Sequence, residues 1–446
     1  MRLGARLVTR LPGAVLASLP VVLAATACGD ATLTPEWPAL SKKWFDRAQA
    51  SYHEVDFDDA EVAIASALRV EPNRAEIRLL AARVALAALD YDRAIRSLEG
   101  IETADARSIR GRALWYSGQV DRAADELEAL VADPEVRDGW AVEVAKLARR
   151  GSGRTPFQMT GGILAATDMP LVGTSSFVVP LELDGEPVLG LVATGTAEVV
   201  IDAGAGRQPS WVSLRFGDRI EVKDVPALTK DLTGVSRQLG APVKVLLGVN
   251  LLRHIHPTVD FEGAQFVVRS FDPPPPPRAT TVHVSYIRGG GMVFRTNLGR
   301  DDTTAGSLLV DTAMTFPIAL DDRGFQKAGV SVASLQALPQ AQGRLKHGVL
   351  PRFVLGAFDI PQVPAIYGAP LEEFEKGLDV DLDGMAGAGL LAAFRVTLAD
   401  GGKTLWLEDT QLPQTAPEYP SDPGDAEPPG ALPPPPPQAP TKKPPT

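Results

Sequence analysis

The sequence predicts a multidomain chain that is helical first and mostly β afterwards, with the β part built from two similar halves. Three observations carry this expectation. Small and apolar residues recur at a spacing of 34 between positions 41 and 150. At Gly151-Ser152-Gly153 the apolar spacing changes from helical to alternating. Beyond it one motif is written twice, as Leu191-Val192-Ala193-Thr194-Gly195-Thr196-Ala197 and as Leu309-Val310-Asp311-Thr312-Ala313-Met314-Thr315. A length of 446 residues is too great for one small core and suits two or three domains.

Residues 1–27 stand apart from that count. Arg2, Arg6 and Arg10 give a basic start, an apolar run ends at Leu23-Ala24, and Ala25-Thr26-Ala27 precedes Cys28. This is the pattern of a secretory signal, and its end resembles a bacterial lipoprotein cleavage site, with Ala25 standing where leucine is usual. The alternative is an ordinary signal peptide followed by an incidental cysteine. Cys28 is the only cysteine in the chain, so no intramolecular disulfide can form. No other stretch reaches the roughly 18 apolar residues that span a bilayer. The resemblance therefore implies lipidation of Cys28, location in the bacterial cell envelope, and membrane attachment through the lipid alone. Removing residues 1–27 takes away three arginines and no acid, lowering a net charge that is already −11. That acidity, without a basic cluster, argues against nucleic acid as a partner.

Residues 28–40 are expected to form a tether and 41–150 helical hairpins. Trp44, Ala48, Ala60, Ile64, Ala67 and Pro72 match tetratricopeptide consensus places in type and spacing, and the next unit repeats them with Ala82, Asp92, Ala94 and Leu98. A third unit has Gly111, Leu114, Asp121, Ala123, Leu127 and Leu130, with a shorter loop before it. Small residues at these places let paired helices approach closely, and the larger ones fill the seams between hairpins. Such repeats imply a protein partner. The alternative is an unrelated helical bundle.

The β region is expected to divide into residues 157–271, a proline-rich linker at 272–278, and residues 279–410. Alternation in Phe177-Val178-Val179-Pro180-Leu181-Glu182-Leu183, ended by Asp184-Gly185, reads as a strand and turn. Pro273 to Pro277 read as a stiff spacer, and residues 411–446 as a proline-rich tail with too few apolar residues to pack. Each duplicated motif is followed, much later, by an apolar segment containing glycine: Val245-Leu246-Leu247-Gly248 and Gly384-Met385-Ala386-Gly387. From Gly248 to Thr258 and from Gly387 to Thr397 the distance is ten residues, and Leu251-Leu252 and Leu390-Leu391 fall at the same offset.

Both copies resemble the Asp-Thr/Ser-Gly active-site turn of retropepsin-like and pepsin-like aspartic proteases. The resemblance covers roughly residues 157–410 and implies two β-barrel lobes, each supplying one aspartate. Here one copy offers Asp311, Thr312 and Ala313, and the other is degenerate, with Ala193, Thr194 and Gly195. Two carboxylates held together share a proton, so that one can deprotonate water while the other protonates the substrate carbonyl. With Ala193 in place of the first aspartate that exchange lacks a partner, and the resemblance implies a pseudoprotease. Asp311 is the catalytic candidate if the module is active; otherwise it is a buried structural carboxylate. Ala313 replaces the usual glycine, the smallest change possible.

Other chemistry is weaker. Asp202, in Ile201-Asp202-Ala203-Gly204, is a substitute partner only if the first motif is moved nine places along the chain. Asp379-Val380-Asp381-Leu382-Asp383-Gly384 opens like a calcium loop, but Leu390 stands where a bidentate glutamate belongs. His254 and His256 lack a third zinc ligand. Gly289-Gly290-Gly291 lacks the lysine and serine of a phosphate loop and reads as a turn. No cofactor or metal is expected. The sequence thus points to a peptide- or protein-binding lipoprotein that uses the cleft between lobes. Its rivals are an active aspartic endopeptidase in which Asp311 finds another partner, and a β spacer that leaves all binding to the repeats. The change of periodicity at a Gly-Ser boundary also predicts that repeats and β module fold independently.

Overall fold

The computed structural model describes residues 37–173, 175–299, 301, 304–338 and 345–410. The signal segment, Cys28 and the proline-rich tail lie outside the described residues. Helices come first: α1 (Ala39–His53), α2 (Phe57–Val70), α3 (Ala75–Ala87), α4 (Tyr91–Ser97), α5 (Ala104–Tyr116), α6 (Val120–Val131) and α7 (Gly139–Arg150). The first six form three hairpins and α7 packs on α6. Ala48, Ala60, Ala82 and Ala94 are wholly buried, as small residues at helix crossings must be. The turns inside the hairpins repeat their conformation: Val55, Leu89 and Gly118 all have left-handed backbone, at φ of 61°, 57° and 76°. Asp56, Asp90, Thr103 and Asp138 cap the helices that follow them by accepting a backbone N–H.

The β region follows. Its first part contains β1 (Gln158–Gly161), β2 (Leu164–Asp168), β3 (Val178–Leu183), β4 (Glu186–Val192), β5 (Val199–Asp202), β6 (Ser210–Phe216), β7 (Ile220–Lys230), α8 (Thr233–Leu239), β8 (Val243–Leu247), α9 (Val249–Ile255), β9 (Thr258–Asp260) and β10 (Gln265–Arg269). The strand order β7-β5-β8-β4-β3-β6, closed by pairing of β6 with β7, makes a six-strand barrel. Alternate residues, such as Leu181 and Leu183, Val199 and Ile201, Val245 and Leu247, fill its interior.

The second part contains β11 (Thr280–His283), β12 (Ser285–Ile287), β13 (Gly291–Asn297), β14 (Ala305–Asp311), β15 (Ile318–Leu320), α10 (Asp322–Lys327), β16 (Gln336–Ala337), β17 (Lys346–Leu355), β18 (Phe358–Tyr367), α11 (Leu371–Leu378), β19 (Gly384–Gly387), α12 (Ala388–Leu391), β20 (Phe394–Ala399) and β21 (Thr404–Asp409). Its main sheet runs β12-β13-β14-β19-β15-β18-β17-β16. The central pairings match those of the barrel. β4–β8 and β14–β19 are parallel, β5–β8 and β15–β19 antiparallel, β5–β7 and β15–β18 parallel. A third sheet, β11-β21-β20-β9-β10-β2, takes strands from both parts. The chain is therefore helical at its N-terminal side and β-rich with a six-strand barrel beyond, an arrangement compatible with an aspartic-protease-like module. Among the described residues no helix is long and apolar enough to cross a membrane.

The helices are not a separate body. Leu308 and Val310 face the β interior, while Leu309 between them joins a core that contains Ile77, Leu80 and Val84 of α3. Met385, Ala319 and Ile366 share that core. On the barrel side Leu228 packs among α5 to α7, and Trp211 donates from Nε1 to the Leu147 carbonyl at 3.0 Å. Ser307 Oγ donates to the Glu54 carbonyl at 2.7 Å, and Asp381 N to that of His53 at 2.7 Å. The expectation of independently folding parts meets two apolar clusters that mix helix and strand residues, because the helices cover Leu309, Ala319, Ile366 and Met385 on one part and Leu228 on the other.

Candidate functional site

The two copies of the duplicated motif meet at the junction of the β parts. Val192 ends β4 and Asp311 ends β14, and each strand then breaks into a tight turn. Thr194 Oγ1 donates to the Val310 carbonyl at 2.8 Å and accepts the Thr312 N–H at 3.1 Å. Thr312 Oγ1 donates to the Val192 carbonyl at 2.6 Å and accepts the Thr194 N–H at 3.1 Å. Both threonines are buried. A hydroxyl can give one hydrogen and take another, so the pair satisfies two carbonyls and two amides that would otherwise be stranded away from water. The turns are locked to each other by side chain, not by sheet pairing.

Behind each turn, glycine is demanded by close approach. A Cβ on Gly248 would strike the Glu198 carbonyl, and one on Gly387 the Phe316 carbonyl. The matching positions follow from matching wrapping. Val249 N donates to the Thr196 carbonyl at 3.0 Å, and Ala388 N to that of Met314 at 2.8 Å.

Asp311 faces the opposite turn. A Cβ added to Gly195 would lie 2.7 Å from both its Cγ and its Oδ1, so the carboxylate rests on the Gly195 backbone. Oδ1 accepts the Ala313 N–H at 3.0 Å. Burial pushes the carboxyl pKa up, and the Ala313 amide pulls against that shift. Ala193 is buried and brings no polar atom. The site holds one carboxylate, two threonines and the amides of both turns.

Asp202 is occupied elsewhere. At the end of β5 it pairs with Lys244 at 2.6 Å and accepts the Leu232 N–H at 3.2 Å, and the Lys244 bond holds its pKa down. The acids that open like a calcium loop are also engaged. Asp383 accepts from Ser307 N and pairs with Lys327, both at 2.8 Å, and Asp379 pairs with Arg83 at 3.0 Å. Leu390 lies in the core. His254 stacks on Phe157 with ring centroids 4.4 Å apart, while His256 faces Asp272. Among the described residues no group of three or more metal-ligating side chains converges.

Sequence reasoning missed what covers the junction. Glu198, just past the first turn, is buried and accepts from Trp140 Nε1 of α7 at 3.1 Å and from Asn250 Nδ2 at 3.4 Å. Burial raises its pKa. Arg253 donates to Asn250 Oδ1 and lies 5.2 Å from the Tyr286 ring centre, with Tyr91 and Tyr116 on its other sides. Gly289 abuts Tyr116 and Gly290 abuts Ala197, so the glycine run is the place where three parts of the chain touch. A cavity of about 310 Å³ remains between α5, α7, the first turn, the β12–β13 turn and α11. The one signal for this in the sequence was the glycine run itself.

No family model and no curated protein sequence matches the chain. Solved structures do overlap with parts of it. A retropepsin-like aspartic protease from Rickettsia conorii is 18% identical over 29% of this chain and 90% of its own, with a TM-score of 0.22. An aspartic proteinase from Irpex lacteus is 11% identical over 56% of this chain and 98% of its own, with a TM-score of 0.33. The Arabidopsis OM64 TPR domain is 19% identical over 25% of this chain and 95% of its own, with a TM-score of 0.23. These are partial likenesses to aspartic proteases and to a TPR domain.

Proposed function

We propose that this chain is a lipid-anchored envelope protein whose β module is a two-lobed pseudoprotease that binds peptide or protein segments without cutting them. The observation that carries the reading is the junction itself, where Asp311 rests on Gly195 and the Ala313 amide while the equivalent position of the first copy is Ala193. Hydrolysis of an amide by water needs a base to take the water proton as its oxygen bonds the carbonyl carbon. It also needs an acid to protonate the carbonyl oxygen as the C=O electrons move onto it. One carboxyl group can do either at a given moment, not both, and losing one member of such a unit costs many powers of ten in rate. The raised pKa of Asp311 suits the remaining role, donation of its proton to a peptide carbonyl.

The test is direct. The full chain should bind denatured-protein peptides without releasing cleavage products at acidic pH. Cleavage by the wild type that disappears in Asp311→Asn would favour the rival reading, an active endopeptidase. Anchoring rests on the sequence around Cys28. Wild-type protein should partition with the membrane fraction, and Cys28→Ser should release it; wild type found soluble with residues 1–27 attached would sink the anchor.

A further inference from the structure

The cavity beside the first turn carries an unbalanced charge. Arg112 is 7% exposed; one Nη donates to Asp138 at 2.7 Å, its guanidinium lies 3.9 Å over the Trp140 ring, and its Nε has no partner. Arg288, on the β12–β13 turn, donates from Nη1 to the Gly377 carbonyl at 2.6 Å and, among the described residues, forms no ion pair. It is open to solvent within the cavity, yet the crowding around it, and Arg112 next, pull its pKa down. Lys230 lines the barrel wall and, among the described residues, forms no ion pair either. Of the acids near the rim, Asp138 is taken by Arg112 and Asp379 by Arg83. Glu198 on the wall is buried and driven toward its neutral form. Leu309, Phe374 and Leu378 add apolar surface to the same cavity.

We infer that this cavity binds a carboxylate carried by a short apolar peptide, with the charged group between Arg112 and Arg288 and the apolar body against Leu309, Phe374 and Leu378. An anion there offsets the excess positive charge that Arg112, Lys230 and Arg288 bring to the cavity. A planar carboxylate matches the fork of a guanidinium. The volume holds a few residues at most, so the site is a subsite for one end or one acidic side chain of a longer ligand. Its walls come from the helices and from both β parts, so the site exists only in the assembled chain. This inference rests on the reading of the β module as peptide-binding.

The experiment is calorimetric titration of the full chain with three probes: N-acetyl-Ala-Ala-Phe, its C-terminal amide, and N-acetyl-Ala-Glu-Phe amide. The free acid is expected to bind ~10-fold or more tightly than the plain amide, in line with a charged hydrogen bond. Recovery of affinity by the glutamyl amide would assign the site to acidic side chains; its absence would assign it to chain ends. Arg288→Gln should reduce the preference for the acid over the plain amide, and it spares the buried Arg112–Asp138 pair. Arg112→Lys, which keeps the charge but not the fork, should weaken the acid as well. Equal binding of all three probes would overturn the carboxylate site and leave the peptide cleft standing. Failure of every probe to bind at millimolar concentration would overturn both, and inorganic phosphate displacing the acid at equal concentration would mark a general anion site instead.

Discussion

Gly195 and Asp311 touch across the junction of the two turns: the carboxylate lies where a side chain at 195 would stand, 2.7 Å from its Cβ. The matched pairings of the two sheets suggest the converse contact, residue 193 against residue 313. There a carboxylate would need glycine opposite, and both positions are alanine. Alanine at 193 and alanine at 313 then fit each other across the joint as Asp311 and Gly195 do.

Rebuilding the carboxyl pair should therefore need two substitutions. Ala193→Asp alone is expected to leave the protein inactive, its new carboxylate pressed against the Ala313 methyl. Ala193→Asp with Ala313→Gly should give measurable peptide cleavage at acidic pH, abolished by Asp311→Asn. Activity in the single variant equal to that in the double variant would show that Ala313 does not crowd the site.

Gly195→Ala tests the observed side of the same relationship. The added methyl would overlap Asp311 Cγ and Oδ1, forcing the carboxylate off the Ala313 amide. Overpacking of this kind costs about 1–3 kcal/mol. Chemical denaturation should show that loss, and Asp311→Ala in the same chain should recover much of it by making room.

Thr194→Val and Thr312→Val keep shape and remove a hydroxyl that serves two backbone groups. Each should cost about 1–3 kcal/mol, because a buried carbonyl and a buried amide lose their partner. The double variant should cost less than the sum, since the four bonds form one network. Additive losses would argue that the two hydroxyls act separately.

Glu198 gives a pH dependence with a definite sign. Its pKa is raised in the folded state, by burial first, so folding favours the protonated form. That stability is fully present below the unfolded value of 4.5 and is lost as pH rises through the folded one. Glu198→Gln keeps an acceptor for Trp140 Nε1 and never ionises. It should raise the thermal midpoint at pH 7 to 8, with the advantage fading as pH falls toward 4. A variant destabilised at every pH would mean that the charged carboxylate is what the helices need.

The shared core bears on truncation. A fragment of residues 155–410 would expose Leu309, Met385, Ala319 and Leu228, which the helices cover in the whole chain. Patches of that kind drive association. The fragment is expected to aggregate or to unfold without a cooperative transition, whereas residues 37–410 together should melt cooperatively.

Much of the site was legible because it is a repeat. The duplicated motif located both turns, and the ten-residue interval from Gly248 to Thr258 and from Gly387 to Thr397 located the segments behind them. The spacing from Ala48 to Ala82 likewise marked the hairpins, since buried alanines recur where helix axes cross. What stayed hidden was which surface meets which. Leu309 reads as an ordinary strand residue, because alternation separates the two faces of a strand without naming what covers the second. Glu198 and Arg253 carried no motif; their roles depend on Trp140, Tyr116 and Asn250, which tertiary packing brings from distant positions.

The threonine exchange joins residues 118 positions apart in sequence. Neither turn can bury its amide in comfort until the other strand end has arrived, so each half serves as the mould for the other. Closing so long a loop is slow compared with forming a hairpin. The joint is therefore expected to set only once both strand ends are in place.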